Sequence, residues 1–131
     1  MKEIKFRAWL KEKEMLVDVL GISFEEKYVR LPIESEPSDE YWWYETAWGF
    51  DEVELMQFTG LKDKNGVEIY EGDMLRDSES IVIVKFVDGE FSVDYRTIGG
   101  KWRNYGSLFD YLGDYEGEII GNIYENPELI E

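Results

Sequence analysis

Val53 to Thr59 and Val67 to Tyr70 read as two extended runs joined by the polar turn Lys62-Asp63-Lys64-Asn65-Gly66. Asn-Gly supplies the positive φ angles favoured in tight hairpins, so this segment commits the middle of the chain to antiparallel β structure. The same grammar continues downstream. Glu71-Gly72-Asp73 interrupts the chain before Met74-Leu75, and Ile81-Val82-Ile83-Val84-Lys85-Phe86 is the strongest strand signal present. Asp88-Gly89 then turns the chain into Phe91, Val93 and Tyr95, and Gly99-Gly100 marks another break. Short strands divided by such breaks suit a small SH3-like barrel in the carboxyl-terminal half.

The opening segment alternates Ile4, Phe6 and Ala8 with Lys5, Arg7 and Trp9, a two-residue period expected of a strand with one buried face. Lys11 to Glu14 is a charged break, after which Met15 to Leu20 returns as a second strand, followed at Gly21 by Ile22-Ser23-Phe24. An antiparallel hairpin is expected here. Ser107 to Leu112 has room for a helical turn, and Glu118 to Tyr124 reads as a final strand ended by Asn126-Pro127. The expected class is mainly β (α+β) with minor helix.

A chain of 131 residues fits one domain, 1–131, with sub-parts at 1–60 and 61–131. Thirty Asp and Glu against fourteen Lys and Arg give a formal charge of -16, and without His that charge hardly changes between pH 6 and 8. Such a surface repels phosphates and favours basic partners, which disfavours direct nucleic-acid binding. The absence of Cys and His excludes disulfides, thiolate metal sites and most familiar catalytic triads. No apolar run approaches the roughly 20 residues of a membrane span, and the start lacks a signal-peptide pattern, so the expected location is the cytoplasm.

Glu34 to Glu54 carries eight acids and no Lys or Arg, with Pro32 and Pro37 marking irregular backbone. Interleaved are Tyr41, Trp42, Trp43, Tyr44, Trp48 and Phe50, too aromatic for an ordinary disordered linker. Tyr41, Trp42, Trp43, Tyr44 and Trp48 are the candidate protein-contact residues, because flat amphipathic rings supply contact area with few rotamers. Core packing is the competing reading of the same rings.

FTGLKDKNG, then EIYEGDML, and EIIGNIYENPELIE at the carboxyl end occur here in that order, supported by EIKFRAW at the start. Together they resemble the YopX family of phage and prophage proteins. The resemblance implies a small mobile-element protein with a mostly β carboxyl half like an SH3-like barrel, and it brings no catalytic residues, cofactor or metal site with it.

The remaining carboxylates each have a plain alternative. Asp63, Asn65 and Glu68 have the spacing of part of a calcium loop, but they are also what a hairpin turn wants. Glu71 and Asp73 flank Gly72 as paired carboxylates would for acid-base or magnesium chemistry; a bend at Gly72 with Asp73 accepting backbone hydrogen bonds is the simpler reading. Arg96, Lys101, Trp102 and Arg103 form a small basic and aromatic patch inside a strongly acidic field. The expected function is therefore a non-enzymatic accessory protein acting by protein-protein interaction or self-assembly. The alternatives are an acidic mimic of DNA, built from the blocks Glu34 to Glu54 and Asp110 to Glu131, and a carboxylate-based metal-dependent enzyme using Asp63, Glu68, Glu71 and Asp73.

Overall fold

The computed structural model describes residues 3–33 and 47–131. It is mainly β, and one α-helix occurs among the described residues. The chain forms two compact units, Lys5–Met56 and Gln57–Glu131, with Glu3 and Ile4 grouped with the second. Tyr41, Trp42, Trp43 and Tyr44 lie outside the described residues.

In the first unit, β1 (Phe6–Leu10) and β2 (Met15–Asp18) form the expected antiparallel hairpin, with Ala8 opposite Val17 and Leu10 opposite Met15. Ala8 and Leu10 are buried, as the two-residue period requires; Ile4 precedes the strand and is exposed. The chain continues as β3 (Gly21–Ser23), β4 (Tyr28–Arg30) and β5 (Ala47–Gly49), a three-stranded antiparallel sheet in that order. β4 has no alternating pattern to announce it. Its three residues sit between a charged turn and Pro32, and only Val29 among them is buried.

Val29 pairs directly with Trp48, and both join Ala8, Leu10, Leu31 and Val53 in one core cluster. Trp48 is 2% exposed, and its indole Nε1 donates to the Ile33 carbonyl at 3.1 Å. This corrects its assignment to a contact surface: a strand of three residues places this ring on the inward face, where burial and a satisfied N–H outweigh exposure.

The chain passes into the second unit within β6 (Val53–Lys62), which turns into β7 (Glu68–Tyr70). Next come β8 (Asp73–Arg76), β9 (Ser80–Val87), β10 (Glu90–Thr97) and β11 (Arg103–Ser107), then α1 (Leu108–Asp114) and β12 (Glu118–Asn122). A final 3-10 turn covers Pro127–Ile130. Five strands make one antiparallel sheet in the order β11-β10-β9-β8-β12, curled as a half-barrel. Asp88 and Gly89, with φ of 51° and 83°, form the two-residue turn between β9 and β10 that their sequence announces. Ser107 caps α1 by accepting the Asp110 N–H at 3.0 Å, so the helix starts where a strand has just ended. The core consists of Ile69, Leu75, Val82, Val84, Val93, Leu108 and Tyr111.

The turn after β6 differs from the expected Asn-Gly geometry. Gly66 has φ of 81° but Asn65 stays at negative φ; Gly66 N–H donates to the Asp63 carbonyl at 3.0 Å, and Asp63 N–H to the Val67 carbonyl at 2.9 Å. The Asp63 side chain closes the loop instead of a second left-handed residue.

Replacing Trp48 by Ala removes the largest ring of the first unit's cluster and should cost about 3 to 5 kcal/mol of stability, measured by urea denaturation. Trp48→Phe keeps most of the apolar volume and should cost about 1 to 2 kcal/mol, mainly the lost indole hydrogen bond.

Candidate functional site

The second unit holds most of the carboxylates that sequence spacing singles out, and the fold consumes several of them. Asp63 is 7% exposed. One of its oxygens accepts the N–H groups of Asn65 at 2.8 Å and Val67 at 2.9 Å, and the other accepts that of Ile119 in β12 at 3.0 Å. Burial pushes the carboxyl up, but the donors from Ile119, Val67 and Asn65, helped by the Lys64 charge, together hold it below the usual aspartate value. Asp73 is 1% exposed and accepts the Tyr70 N–H at 2.8 Å. Gly72 between the pair has φ of 87°, donates to the Val84 carbonyl and accepts from the Ile123 N–H, which is the bend expected of Gly-Asp. Glu71 accepts the Gln57 N–H through its side chain at 3.3 Å.

A further carboxylate escaped sequence reading. Asp77, in the tight connection from β8 to β9, accepts from Glu79 N, Ser80 N, the Ser80 hydroxyl and the Tyr111 hydroxyl at 2.8 to 2.9 Å. The local part is legible as an aspartate ahead of Ser78 and Ser80, but Tyr111 lies on α1, 34 residues away. Burial raises this carboxyl and the donors bring it below the ordinary value. Burial first, and then donation to Asp77, push the Tyr111 phenol well above its usual value. Tyr111 stacks on Tyr115 and meets Tyr105 edge-on, and Tyr105 donates to Asp114, which moves its own phenol up to about 12.

The β8–β9 connection, Asp77 included, and the segment Ile98–Gly100 border an open groove of about 620 Å³. Ile81 on β9 is paired with Arg76 of β8 on one side and Arg96 of β10 on the other, so the three side chains form one row across adjacent strands. Arg96 lies over the Trp102 ring at 4.8 Å and donates to the carbonyl of Leu129 at 3.3 Å and to the main-chain oxygen of Glu131 at 3.5 Å. Arg76 pairs with Glu118 at 3.5 Å. Of the basic patch read from sequence, Arg96 and Trp102 are thus brought together, while Lys101 and Arg103 are exposed. A second groove of about 450 Å³ shares Arg76 and Asp77 and is bordered by Asp114, Tyr115, Glu116 and Glu118.

Three comparisons place this architecture among known proteins. The family described as YopX protein matches residues 5–131. The SPbeta prophage-derived uncharacterized protein YopX of Bacillus subtilis (strain 168) is 32% identical over 78 residues, which is 54% of this chain and 50% of that relative's length. The crystal structure of protein EF1440 from Enterococcus faecalis superposes with a TM-score of 0.67 at 28% identity and covers 100% of both chains.

Because the Asp63 carboxyl is held low by native donors, its contribution to stability is present above the unfolded value near about pH 4 and is lost as pH falls through its folded value. Asp63→Asn should therefore flatten the fall in unfolding free energy between about pH 5 and 2. Asp63→Ala, which removes the acceptor of three part-buried N–H groups, should cost about 1 to 3 kcal/mol at pH 7. Chemical denaturation across that pH range measures both. Tyr105 and Tyr111 should remain protonated after exposed tyrosines have ionised near about pH 10, and stability should fall as pH rises through their folded values. An ultraviolet titration of Tyr111→Phe should lose one late-ionising phenol.

Proposed function

The chain belongs to the YopX family, and from that membership we propose that it is a non-enzymatic prophage accessory protein that acts in the host cytoplasm by binding another protein. The prophage setting follows the printed name of the Bacillus subtilis relative. One contrast supports the mode of action. Asp63, Asp73 and Asp77 direct carboxylate oxygens to donors of their own fold, whereas apolar groups stand in solvent, with Ile98 at 101% exposure, Phe109 at 72% and Phe86 at 52%. Such rings and aliphatic groups are available to a partner's apolar side chains. Among the described residues no helix is long and apolar enough to cross a membrane.

A charge of -16 works against stacking copies of the chain and favours a different protein over self-assembly. Amine-directed cross-linking of the tagged chain in its host, followed by light scattering on the purified protein, tests this. The expected result is one protein recovered in fixed ratio to the bait and a monomeric pure chain. A chain that cross-links to nothing contradicts partner binding, and a stable homo-oligomer moves the reading to self-assembly.

The second reading, an acidic mimic of DNA, draws support from the carboxylates of Asp110, Asp114, Glu116, Glu125, Glu128 and Glu131, all on exposed residues. It expects the partner to be basic, its binding to weaken steeply between 50 and 200 mM salt as phosphate contacts do, by roughly a thousandfold or more, and duplex DNA to compete. Binding that ignores salt and DNA removes it.

A further inference from the structure

We propose that Asn65-Gly66 is a site of spontaneous deamidation that the Asp63 carboxylate keeps closed, so that Asn65 is converted to isoaspartate only in molecules whose turn has opened. The chemistry needs no enzyme. The Gly66 main-chain nitrogen, its proton lost to hydroxide, attacks Cγ of Asn65; a succinimide ring closes, and the side-chain nitrogen leaves as ammonia with a proton from water. Water then opens either ring carbonyl, giving aspartate, or isoaspartate with the chain rerouted through Cβ and Cγ. The turn itself requires the residue that makes this attack easy. Gly66 stands at φ of 81°, where a residue with a Cβ is strained, and the same missing Cβ leaves its nitrogen unhindered. Asn65 is exposed, and among the described residues no hydrogen bond occupies its carboxamide. The electrophile is therefore open to solvent, and the fold restrains the nucleophile.

The restraint comes from one residue. Gly66 N–H donates to the Asp63 carbonyl at 3.0 Å, and that bond must break before the nitrogen can swing onto Asn65 Cγ. The Asp63 carboxylate holds the residues on either side of Gly66, accepting from Asn65 N–H at 2.8 Å and Val67 N–H at 2.9 Å, so the swing also works against both of these. Burial raises the Asp63 carboxyl, but backbone donors hold it below the usual aspartate value, so it stays charged at the mildly alkaline pH where hydroxide drives deamidation. Its charge also opposes a second anion forming on the Gly66 nitrogen. Conversion is then irreversible for the turn. Isoaspartate lengthens the main chain by a methylene inside the stretch that the Asp63 N–H closes onto the Val67 carbonyl at 2.9 Å, and it leaves a new carboxylate beside Asp63. The lengthened, doubly charged turn loosens the Asp63 link to Ile119 on β12.

The test incubates the intact chain at mildly alkaline pH, folded in buffer or unfolded in urea. Loss of Asn65 is followed by peptide mapping, and isoaspartate is identified by enzymatic methylation with labelled S-adenosylmethionine. The folded chain should lose Asn65 at least about tenfold more slowly than the unfolded chain, and the hydrogen-exchange protection of the Gly66 amide should match that slowing within about threefold, because one local opening governs both. Folded Asp63→Ala should deamidate at least about fivefold faster than the unaltered folded chain, since the opening it must undergo is easier. In the aged product, separated by anion exchange, the amide resonances of Val67 and Ile119 should be displaced. Equal rates in the folded and unfolded chain, an unprotected Gly66 amide, or a folded Asp63→Ala with an unchanged rate overturns the role of Asp63. Asn65 that persists in the unfolded chain overturns the site itself. The rate comparison and the exchange measurement use the unaltered chain, so they decide the matter whether or not the variant folds.

Discussion

The second unit depends on the Asp63 carboxylate. A single side chain receives amide donors from its own turn and from Ile119 on β12, joining the hairpin of β6 and β7 to the strand that closes the five-stranded sheet. Without it the turn would need a second residue at positive φ, since Gly66 alone takes that conformation there. Lys64 N–H reinforces the junction by donating to the Gly117 carbonyl. A charged acceptor serving three N–H groups is also costly to lose, which ties local turn chemistry to the stability of the unit.

Much of this was legible in residue order. Asp88-Gly89 announces its turn because both residues tolerate positive φ, and the run from Ile81 to Val84 is apolar enough to be read as a buried strand. Gly72-Asp73 likewise acts as a bend. What stayed hidden depends on distant partners. Asp63 looks like a turn residue from its neighbours, but Ile119 lies 56 positions away. Tyr111 gives no local sign that it will meet Asp77. Trp48 illustrates the opposite difficulty: an aromatic amid acids has the composition of a surface, and only its pairing with Val29 on β4, a strand too short to show a period, places it in the core.

The same accounting shapes the functional reading. Carboxylates at hard-ligand spacing invite a metal or an acid-base role, yet a carboxylate's oxygens have few acceptor positions, and here backbone donors occupy several. The surface then presents the arginine row, exposed aliphatic and aromatic groups, and a large negative field. Short-range contact and long-range charge act at different distances, so in any complex they are separable by salt.

Carbon NMR of the aspartate side-chain carboxyls, titrated with pH and then with manganese, bears most directly on the claim that these groups serve the fold. Asp63 and Asp77 should titrate below the ordinary aspartate value of about 3.9, and neither they nor Asp73 should broaden selectively when manganese is added. Ordinary titration of Asp63 and Asp77, or selective broadening at Asp63 and Asp73, would contradict the account.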